Sequence, residues 1–244
     1  MDKILDIRGL CKRYPAFALK DVSFSVEKGQ IMGFVGRNGA GKTTSLKAML
    51  NLVHPDAGTV KVFGLEFGGH EDEIKRRIGY AVGGMSYYPR RTVGEILAVT
   101  RRFYDSWDEA ACRHYLEVFR LDEGKRLREL SEGMKVKFAL TMALSHRAEL
   151  LILDEPTSGL DPVSRDELCD IFRQLAAKGV SILFSTHITS DLEKCADAIT
   201  YIKGGELVAS ESREAFIERF AAEIGHRPSF EEIMVHLEKE ALTL

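Results

Sequence analysis

Hydrophobic and polar positions in the first third of the chain follow the period of β-strands. Apolar and polar residues alternate over residues 3–10 and 22–26, which predicts strands with one buried face. Residues 31–35 are continuously apolar, a pattern typical of a parallel strand that is buried on both faces. A helix is predicted over residues 42–52, and it ends near the pair at 54–55, His-Pro.

The rest of the chain combines further strands with one long helical segment. Further strands are predicted over residues 59–63, 78–82, 150–153, 180–184, 198–202 and 207–209. Ser106 and Glu109 indicate a capping box for a helix that runs to about Arg120. Strands that alternate with helices predict a layered α/β core. The predicted parts are a core of residues 1–85 and 147–210, a helical insertion of residues 86–146 and a charged helical tail of residues 211–244.

Charge and composition narrow the classes of partner. The 244 residues are 29% charged, but the two signs nearly cancel at −3, so no basic field favours nucleic acid as a partner. Four scattered cysteines favour a reduced, cytosolic compartment and argue against a cysteine metal site. The first residues do not resemble a signal peptide. Since no apolar run approaches the ~20 residues that span a bilayer, a role at a membrane requires another chain to cross it.

Residues 36–44 carry the strongest local motif. Their sequence, GRNGAGKTT, fits the pattern G-x-x-x-x-G-K-[ST] and lies between a predicted strand and a predicted helix. Glycines allow backbone N–H groups to surround a phosphate, and the positive end of the helix dipole also favours an anion there. Lys42 is expected to reach the β- and γ-phosphates of a nucleotide, and Thr43 to ligate Mg²⁺. A glycine-rich turn without a ligand is the alternative, but the strand and helix on either side argue against it.

Two acidic residues and a histidine follow later strands. Asp154 and Glu155 end one apolar run, and His187 comes shortly after another. Because ligands bind at the carboxyl ends of parallel strands, these side chains are expected at the same sheet edge as residues 36–44. Asp154 can then hold Mg²⁺ through water, and Glu155 can polarise the attacking water. Taken singly, each also has a structural explanation, an acidic turn or a solvated histidine.

Further motifs give the chain a family resemblance. Residues 130–135, LSEGMK, are similar to the signature motif of ABC ATPases, and residues 158–161, SGLD, resemble their D-loop. His187 stands at the position of the family's switch histidine, and Tyr14 at that of the aromatic residue that stacks on adenine. In this order the motifs resemble the nucleotide-binding subunit of an ABC transporter from about residue 4 to residue 210.

The resemblance implies a fold, ligands and site residues. The fold is an α/β P-loop NTPase core with a mixed sheet, an antiparallel β subdomain and an inserted α-helical subdomain. The ligands are ATP and Mg²⁺, with Thr43 and Asp154 as metal ligands. Lys42, Glu155 and His187 are the expected catalytic residues. The residues expected to bind ATP within the chain are Tyr14, Gly36, Asn38, Gly39, Ala40, Gly41, Lys42, Thr43 and Thr44.

The resemblance also implies partners. A second nucleotide-binding subunit, in a homodimer or heterodimer, faces the first head to tail and shares two ATP molecules with it. Ser131, Glu132 and Gly133 would contact the partner's ATP at a helix N-terminus, while Asp161 belongs to the D-loop. Ser131 can also act as a simple helix N-cap, and both roles can hold together. An integral membrane permease completes the transporter, so the subunit is expected in the cytoplasm, peripheral on the inner face of the cell membrane.

Two motifs depart from the family. Glu132 stands where glycine is frequent, and its carboxylate adds negative charge near a phosphate. Residues 134–135, Met-Lys, resemble bacterial exporters of the drug and antibiotic resistance type. The usual Q-loop glutamine corresponds to Gly83, and the chain's two glutamines, Gln30 and Gln174, lie elsewhere. We expect hydrolysis to persist and its coupling to the helical insertion to change.

The expected function is therefore ATP hydrolysis that drives transport, with export favoured by the subfamily resemblance. Residues 87–90, YYPR, are a candidate permease contact, because tyrosine and arginine are enriched at interface hot spots. An aromatic loop packed on its own domain is the alternative. Two other functions stay open: a soluble ABC-type ATPase that acts on ribosomes, DNA or iron–sulphur assembly, and a nucleotide-binding regulatory subunit with weak turnover.

Overall fold

A computed structural model describes residues 2–82 and 88–239 of the chain. Gly83 and Tyr87 lie outside the described residues, so the predictions made for them are left as predictions. The strands are β1 (Lys3–Tyr14), β2 (Phe17–Glu27), β3 (Ile31–Val35), β4 (Ala57–Val62), β5 (Leu65–Glu66), β6 (Ile78–Val82), β7 (Leu150–Asp154), β8 (Ser181–Thr186), β9 (Ala198–Lys203) and β10 (Glu206–Ser212). The helices are α1 (Lys42–Met49), α2 (Phe67–Arg76), α3 (Val93–Thr100), α4 (Glu109–Val118), α5 (Glu132–Ser145), α6 (Pro162–Ala177), α7 (Thr189–Cys195), α8 (Arg213–Ile224) and α9 (Phe230–Glu238).

One mixed sheet organises the fold. Within the described residues its strand order is β5-β4-β1-β2-β10-β9-β3-β8-β7-β6. Strands β9, β3, β8, β7 and β6 are parallel to one another, whereas β1, β2, β4 and β5 pair antiparallel among themselves. β10 joins the two parts, because it pairs antiparallel with β9 and parallel with β2. The predicted α/β fold with a mixed sheet is confirmed.

The central strands bury both faces. In β8, Ile182 and Phe184 belong to one apolar cluster, while Leu183 between them belongs to the other. Phe172 of α6 packs against Phe184 on the first side, with ring centroids 5.7 Å apart. Complete burial of one such side chain contributes roughly 2–3 kcal/mol. Burial on both sides explains why the parallel strands are continuously apolar in the sequence.

The described segment between β6 and β7 contains α3, α4 and α5. The predicted start of α4 is wrong, because the helix begins at Glu109 with Asp108 as its N-cap. The Asp108 carboxylate accepts hydrogen bonds from two backbone N–H groups of the first turn. The Ser106 hydroxyl donates instead to the carbonyl oxygen of His146, at 2.9 Å. An aspartate two residues nearer the helix therefore supplies the cap that was expected from the serine.

The last two helices pack into the main core. Phe216 of α8 and Phe230 of α9 are both buried, and their rings stack with centroids 5.7 Å apart. β10 extends to Ser212, so the helical part begins slightly later than residue 211. Both helices therefore pack on the core, and α9 ends beside β9.

Candidate nucleotide site

The loop between β3 and α1 has a backbone that depends on glycine. A Cβ on Gly36 would lie 2.3 Å from the carbonyl oxygen of Ile202 in β9, so a side chain does not fit there. Gly41 has a φ of 113° and forms the N-cap of α1, a conformation that few other residues adopt. The first N–H groups of a helix lack partners within the helix, so the loop ends on donors suited to a phosphate.

Lys42, the first residue of α1, is buried beneath this loop. Its Nζ donates hydrogen bonds to the carbonyl oxygens of Gly36 (2.7 Å) and Arg37 (3.3 Å). The same Nζ lies 3.3 Å from Oε1 of Glu155, which follows β7. The second carboxylate oxygen of Glu155 lies 2.9 Å from Nδ1 of His187, which follows β8. One carboxylate thus bridges a cation and an imidazole that lie far apart in the sequence.

The end of β7 holds its two acidic residues in different environments. Asp154 is 4% exposed, and its Oδ1 accepts a hydrogen bond of 2.6 Å from the hydroxyl of Ser185. The same hydroxyl accepts a hydrogen bond from the backbone N–H of Glu155, at 2.9 Å. Glu155 has a φ of 49°, which is uncommon for a residue other than glycine. The turn at Glu155 therefore directs its carboxylate away from the buried Asp154 and toward Lys42.

A cavity of about 410 Å³ opens beside these groups. It is lined by the loop, the start of α1, the turn between β1 and β2, and Glu155; the lining residues are Ala16, Phe17, Arg37, Asn38, Gly39, Gly41, Lys42, Thr43, Thr44 and Glu155. Phe17 is the aromatic residue among them. Tyr14 is not a lining residue, although it pairs with Phe17 across the β1–β2 turn. Its side chain is partly exposed and lies near Lys12.

The predicted signature residues lie at the start of α5. Ser131 is the N-cap, and its hydroxyl accepts a hydrogen bond from the N–H of Met134, at 3.3 Å. Oε1 of Glu132 lies 2.7 Å from Nζ of Lys135, so the added negative charge has a paired cation within the same turn. A Cβ on Gly133 would lie 3.6 Å from the side chain of Leu160. The start of α5 therefore adjoins residues 158–161 of the same chain.

Asp161 ends that segment and forms the N-cap of α6. Its carboxylate accepts hydrogen bonds from the N–H groups of Val163 and Ser164, and from the hydroxyl of Ser164 at 2.6 Å. The bonds from Ser164 hold the pKa of Asp161 below its usual value. Within residues 2–82 and 88–239, no hydrogen bond or ion pair joins residues 131–133 to residues 36–44. The chain thus has two separate groups of predicted nucleotide contacts.

The amino-acid sequence of the chain is similar to those of known proteins, and these similarities identify its family. A family model described as ABC transporter matches residues 19–158, more than half of the chain. The chain belongs to the ABC transporter family. The Nod factor export ATP-binding protein I of Burkholderia orbicola is 37% identical over 227 residues, which span 91% of this chain and 74% of that protein. The bacitracin transport ATP-binding protein BcrA of Bacillus licheniformis is 37% identical over 212 residues, spanning 85% and 69%.

Solved ABC transporter structures share the fold. The ATP binding subunit of an ABC transporter superposes with a TM-score of 0.85 at 29% identity, covering 97% of this chain and 100% of the other. An ATP-binding cassette in its ADP conformation superposes with a TM-score of 0.79 at 22% identity, covering 98% and 100%. The second likeness supports the fold alone.

Two residues of this candidate site could not be predicted from the sequence. Ser185 contacts both Asp154 and Glu155, and its only sequence signal is its place near the end of a predicted strand. The β7–β8 register sets Asp154 opposite Ser185, and that register is not visible in either strand alone. Phe17, the first residue of β2, faces the loop of residues 36–44. A Cβ on Gly41 would lie 2.8 Å from its ring.

The residues predicted to hold Mg²⁺ suit that ion in an ABC subunit. Mg²⁺ is commonly bound by one or two protein oxygens together with substrate phosphates. Thr43 offers a hydroxyl at the cavity wall, and Asp154 offers a carboxylate that Ser185 already orients. Among the described residues, no group of three His, Cys, Asp or Glu side chains could hold a metal ion by itself. In the same part of the chain, no helix is long and apolar enough to cross a membrane.

Proposed function

We propose that the chain is the ATP-hydrolysing subunit of an ABC exporter, which binds MgATP at residues 36–44 and drives a membrane permease. The observation that carries the proposal is the position of Glu155 beside the cavity, in contact with both Lys42 and His187. Relatives named for Nod factor export and bacitracin transport favour export over import.

The chemistry follows from these contacts. Lys42 exchanges the carbonyl oxygens of Gly36 and Arg37 for the β- and γ-phosphates of ATP. Glu155 accepts a proton from water, whose oxygen attacks the γ-phosphorus as the bond to the bridging oxygen breaks, giving ADP and phosphate. His187 hydrogen-bonds Glu155 and orients it. Thr43 and Asp154 would hold Mg²⁺, which would neutralise charge on the phosphates.

The signature residues complete the site from a second subunit. Ser131 and Gly133 lie at the N-terminus of α5, where backbone N–H groups suit the partner's γ-phosphate. Because Lys135 pairs with Glu132, the carboxylate at this position adds little net negative charge. Asp161 caps α6 beside this surface and fixes the shape of the D-loop. Homodimers and heterodimers both fit this arrangement.

An exposed apolar surface on the helical segment is the proposed permease contact. Tyr88, Val99 and Phe103 are each more than half exposed and line a cavity of about 620 Å³. The ion pair between Arg91 and Glu95, at 3.2 Å, forms part of its polar rim. Contiguous apolar patches with polar rims are typical of protein interaction sites. A cytoplasmic segment of an integral membrane permease is the occupant we propose, and it would hold the subunit at the inner face of the cell membrane.

Steady-state phosphate release tests the function. Wild-type protein with MgATP should release phosphate, and Glu155→Gln should slow release by about 10²-fold or more, the usual contribution of a general base. Glu218→Gln, an exposed change of the same kind on α8, is the control and should retain activity. Turnover that survives in Glu155→Gln would remove Glu155 from its role. Absence of turnover in the wild type would favour a regulatory subunit, and failure to co-purify with a membrane protein would favour an ATPase unconnected to transport.

A further inference from the structure

Polar contacts from β9 hold the end of α9 beside residues 36–44, the proposed phosphate loop. Nζ of Lys203 donates a hydrogen bond of 2.7 Å to the carbonyl oxygen of Leu237. The hydroxyl of Tyr201 donates a hydrogen bond to Oε1 of Glu238. Burial, together with the nearby Glu238 carboxylate, raises the pKa of Tyr201, so its hydroxyl stays protonated and remains a donor.

These contacts set α9 in a fixed position relative to the loop. Tyr201 is fully buried and pairs in the sheet with Val35, the last residue before Gly36. The N–H of Gly205, in the turn after β9, donates a hydrogen bond of 3.0 Å to the carbonyl oxygen of Ala40. The strand that holds Glu238 therefore also supports the phosphate loop.

Arg37 is the loop residue that meets the end of α9. Its guanidinium is 68% exposed, and its NH1 lies 3.9 Å from Oε2 of Glu238, whose side chain is 16% exposed. Arg37 also lines the cavity that we assign to the nucleotide. An exposed ion pair contributes little, whereas arginine binds phosphate oxygens through a charge-assisted, often bidentate contact. The Glu238 carboxylate and a phosphate of the nucleotide can thus compete for the Arg37 guanidinium.

We propose that Glu238 is a positioning residue that holds the Arg37 guanidinium at the rim of the nucleotide cavity, so that α9 lowers the affinity for ATP. The inference rests on the proposed function and adds a regulatory contact to that site. Any partner that displaces the end of α9 would free Arg37 and raise the affinity. The contact joins residues 201 positions apart and involves none of the three expected catalytic side chains.

Calorimetric titration with the non-hydrolysable analogue AMP-PNP and Mg²⁺ tests the proposal on the full chain. Glu238→Gln should lower the Kd by roughly three- to fivefold, because phosphate binding no longer has to break the exposed ion pair between Arg37 and Glu238. In the Arg37→Gln background, the same change should alter the Kd by less than about twofold, because no guanidinium is left to release. Glu231→Gln removes an equal charge about 10 Å away along α9 and should leave the Kd unchanged.

The outcomes separate this inference from the proposed function. A wild-type chain that does not bind AMP-PNP would overturn the proposed function and the inference together. Binding by the wild type, with equal Kd values for Glu238→Gln and Glu231→Gln, would overturn the inference alone. An equal gain with and without Arg37 would also overturn it, since the effect would then be general charge. If Glu238→Gln does not fold, Glu238→Asp keeps the charge but withdraws it by one methylene, and an unchanged Kd in that variant would reject the proposal.

Discussion

At the scale of single residues, Ser185 organises the acidic end of β7. Its hydroxyl donates to the buried Asp154 carboxylate and accepts from the N–H of Glu155. The Ser185 hydroxyl therefore acts as donor and as acceptor toward two consecutive residues, Asp154 and Glu155. A residue that fixes the proposed metal ligand and the backbone of the proposed base at once would support the chemistry without contacting substrate.

Replacement of Ser185 by alanine should affect both stability and turnover. An Asp154 carboxylate left without its buried partner should lower the free energy of unfolding by about 1–3 kcal/mol. If Asp154 is a metal ligand, loss of the hydroxyl that orients it should also lower kcat by about 10- to 100-fold. Urea unfolding and phosphate release measure the two effects. Ser190→Ala, an exposed change on α7, is the control. Normal turnover in Ser185→Ala would show that Asp154 needs no orientation from β8.

At the scale of elements, His146 connects the end of α5 to α2. Its Nδ1 donates a hydrogen bond of 3.1 Å to the carbonyl oxygen of Arg76, and its ring stacks on Tyr104 with centroids 4.0 Å apart. The charged groups nearby are the Arg76–Asp105 pair, at 2.7 Å, and Arg147, which pairs with Asp108. Burial lowers the pKa of His146 to about 4. The helical segment is thus joined to the core by a neutral, buried imidazole.

This imidazole predicts a loss of stability in mild acid. In the unfolded chain His146 is protonated below its ordinary pKa of 6.5, whereas in the folded chain it is protonated only below a pKa of about 4. Stability is therefore present in full above pH 6.5 and falls as the pH drops toward 4. Between pH 7 and pH 5 this residue should account for a loss of about 2 kcal/mol. His146→Asn keeps an N–H donor but does not titrate, so it should reduce the loss measured by urea unfolding. The control His54→Asn, at an exposed position, should leave the acid-induced loss of stability unchanged. Equal losses of stability in the wild type and in His146→Asn would contradict the role given to His146.

Local signals predicted most elements, whereas the misses depend on contacts between residues that are distant in the sequence. The motif at residues 36–44 and the apolar run before it were enough to predict β3 and the start of α1. The start of α4 was misjudged because Ser106 and Asp108 offer similar capping oxygens, and only the contact between Ser106 and His146 separates them. Contacts such as Asp154–Ser185 depend on strand register, which one sequence does not specify.

At the scale of the whole molecule, the two groups of predicted nucleotide contacts lie on different parts of the chain. Lys42 and Glu155 lie at the carboxyl edge of the parallel strands, whereas Ser131 begins a helix of the segment between β6 and β7. The turn of residues 158–161 adjoins Gly133, so the starts of α5 and α6 form one continuous surface. Such a surface is suited to close the site of another subunit, because each chain then supplies what the other lacks.

A mixture of two inactive variants should show whether the sites are shared. Lys42→Ala removes the loop cation but keeps the signature, while Ser131→Arg blocks the signature but keeps the loop. Each alone should lack turnover. In an equal mixture about half of the dimers contain one chain of each variant. In such a dimer the loop of the Ser131→Arg chain meets the signature of the Lys42→Ala chain, so one of the two sites is complete. About a quarter of wild-type activity should therefore return. The control mixes Lys42→Ala with the double variant that carries both Lys42→Ala and Ser131→Arg. This mixture has no complete site and should restore no turnover. If the wild type turns over by itself and the two folded variants give no recovery together, Ser131 does not act across the subunits of a homodimer.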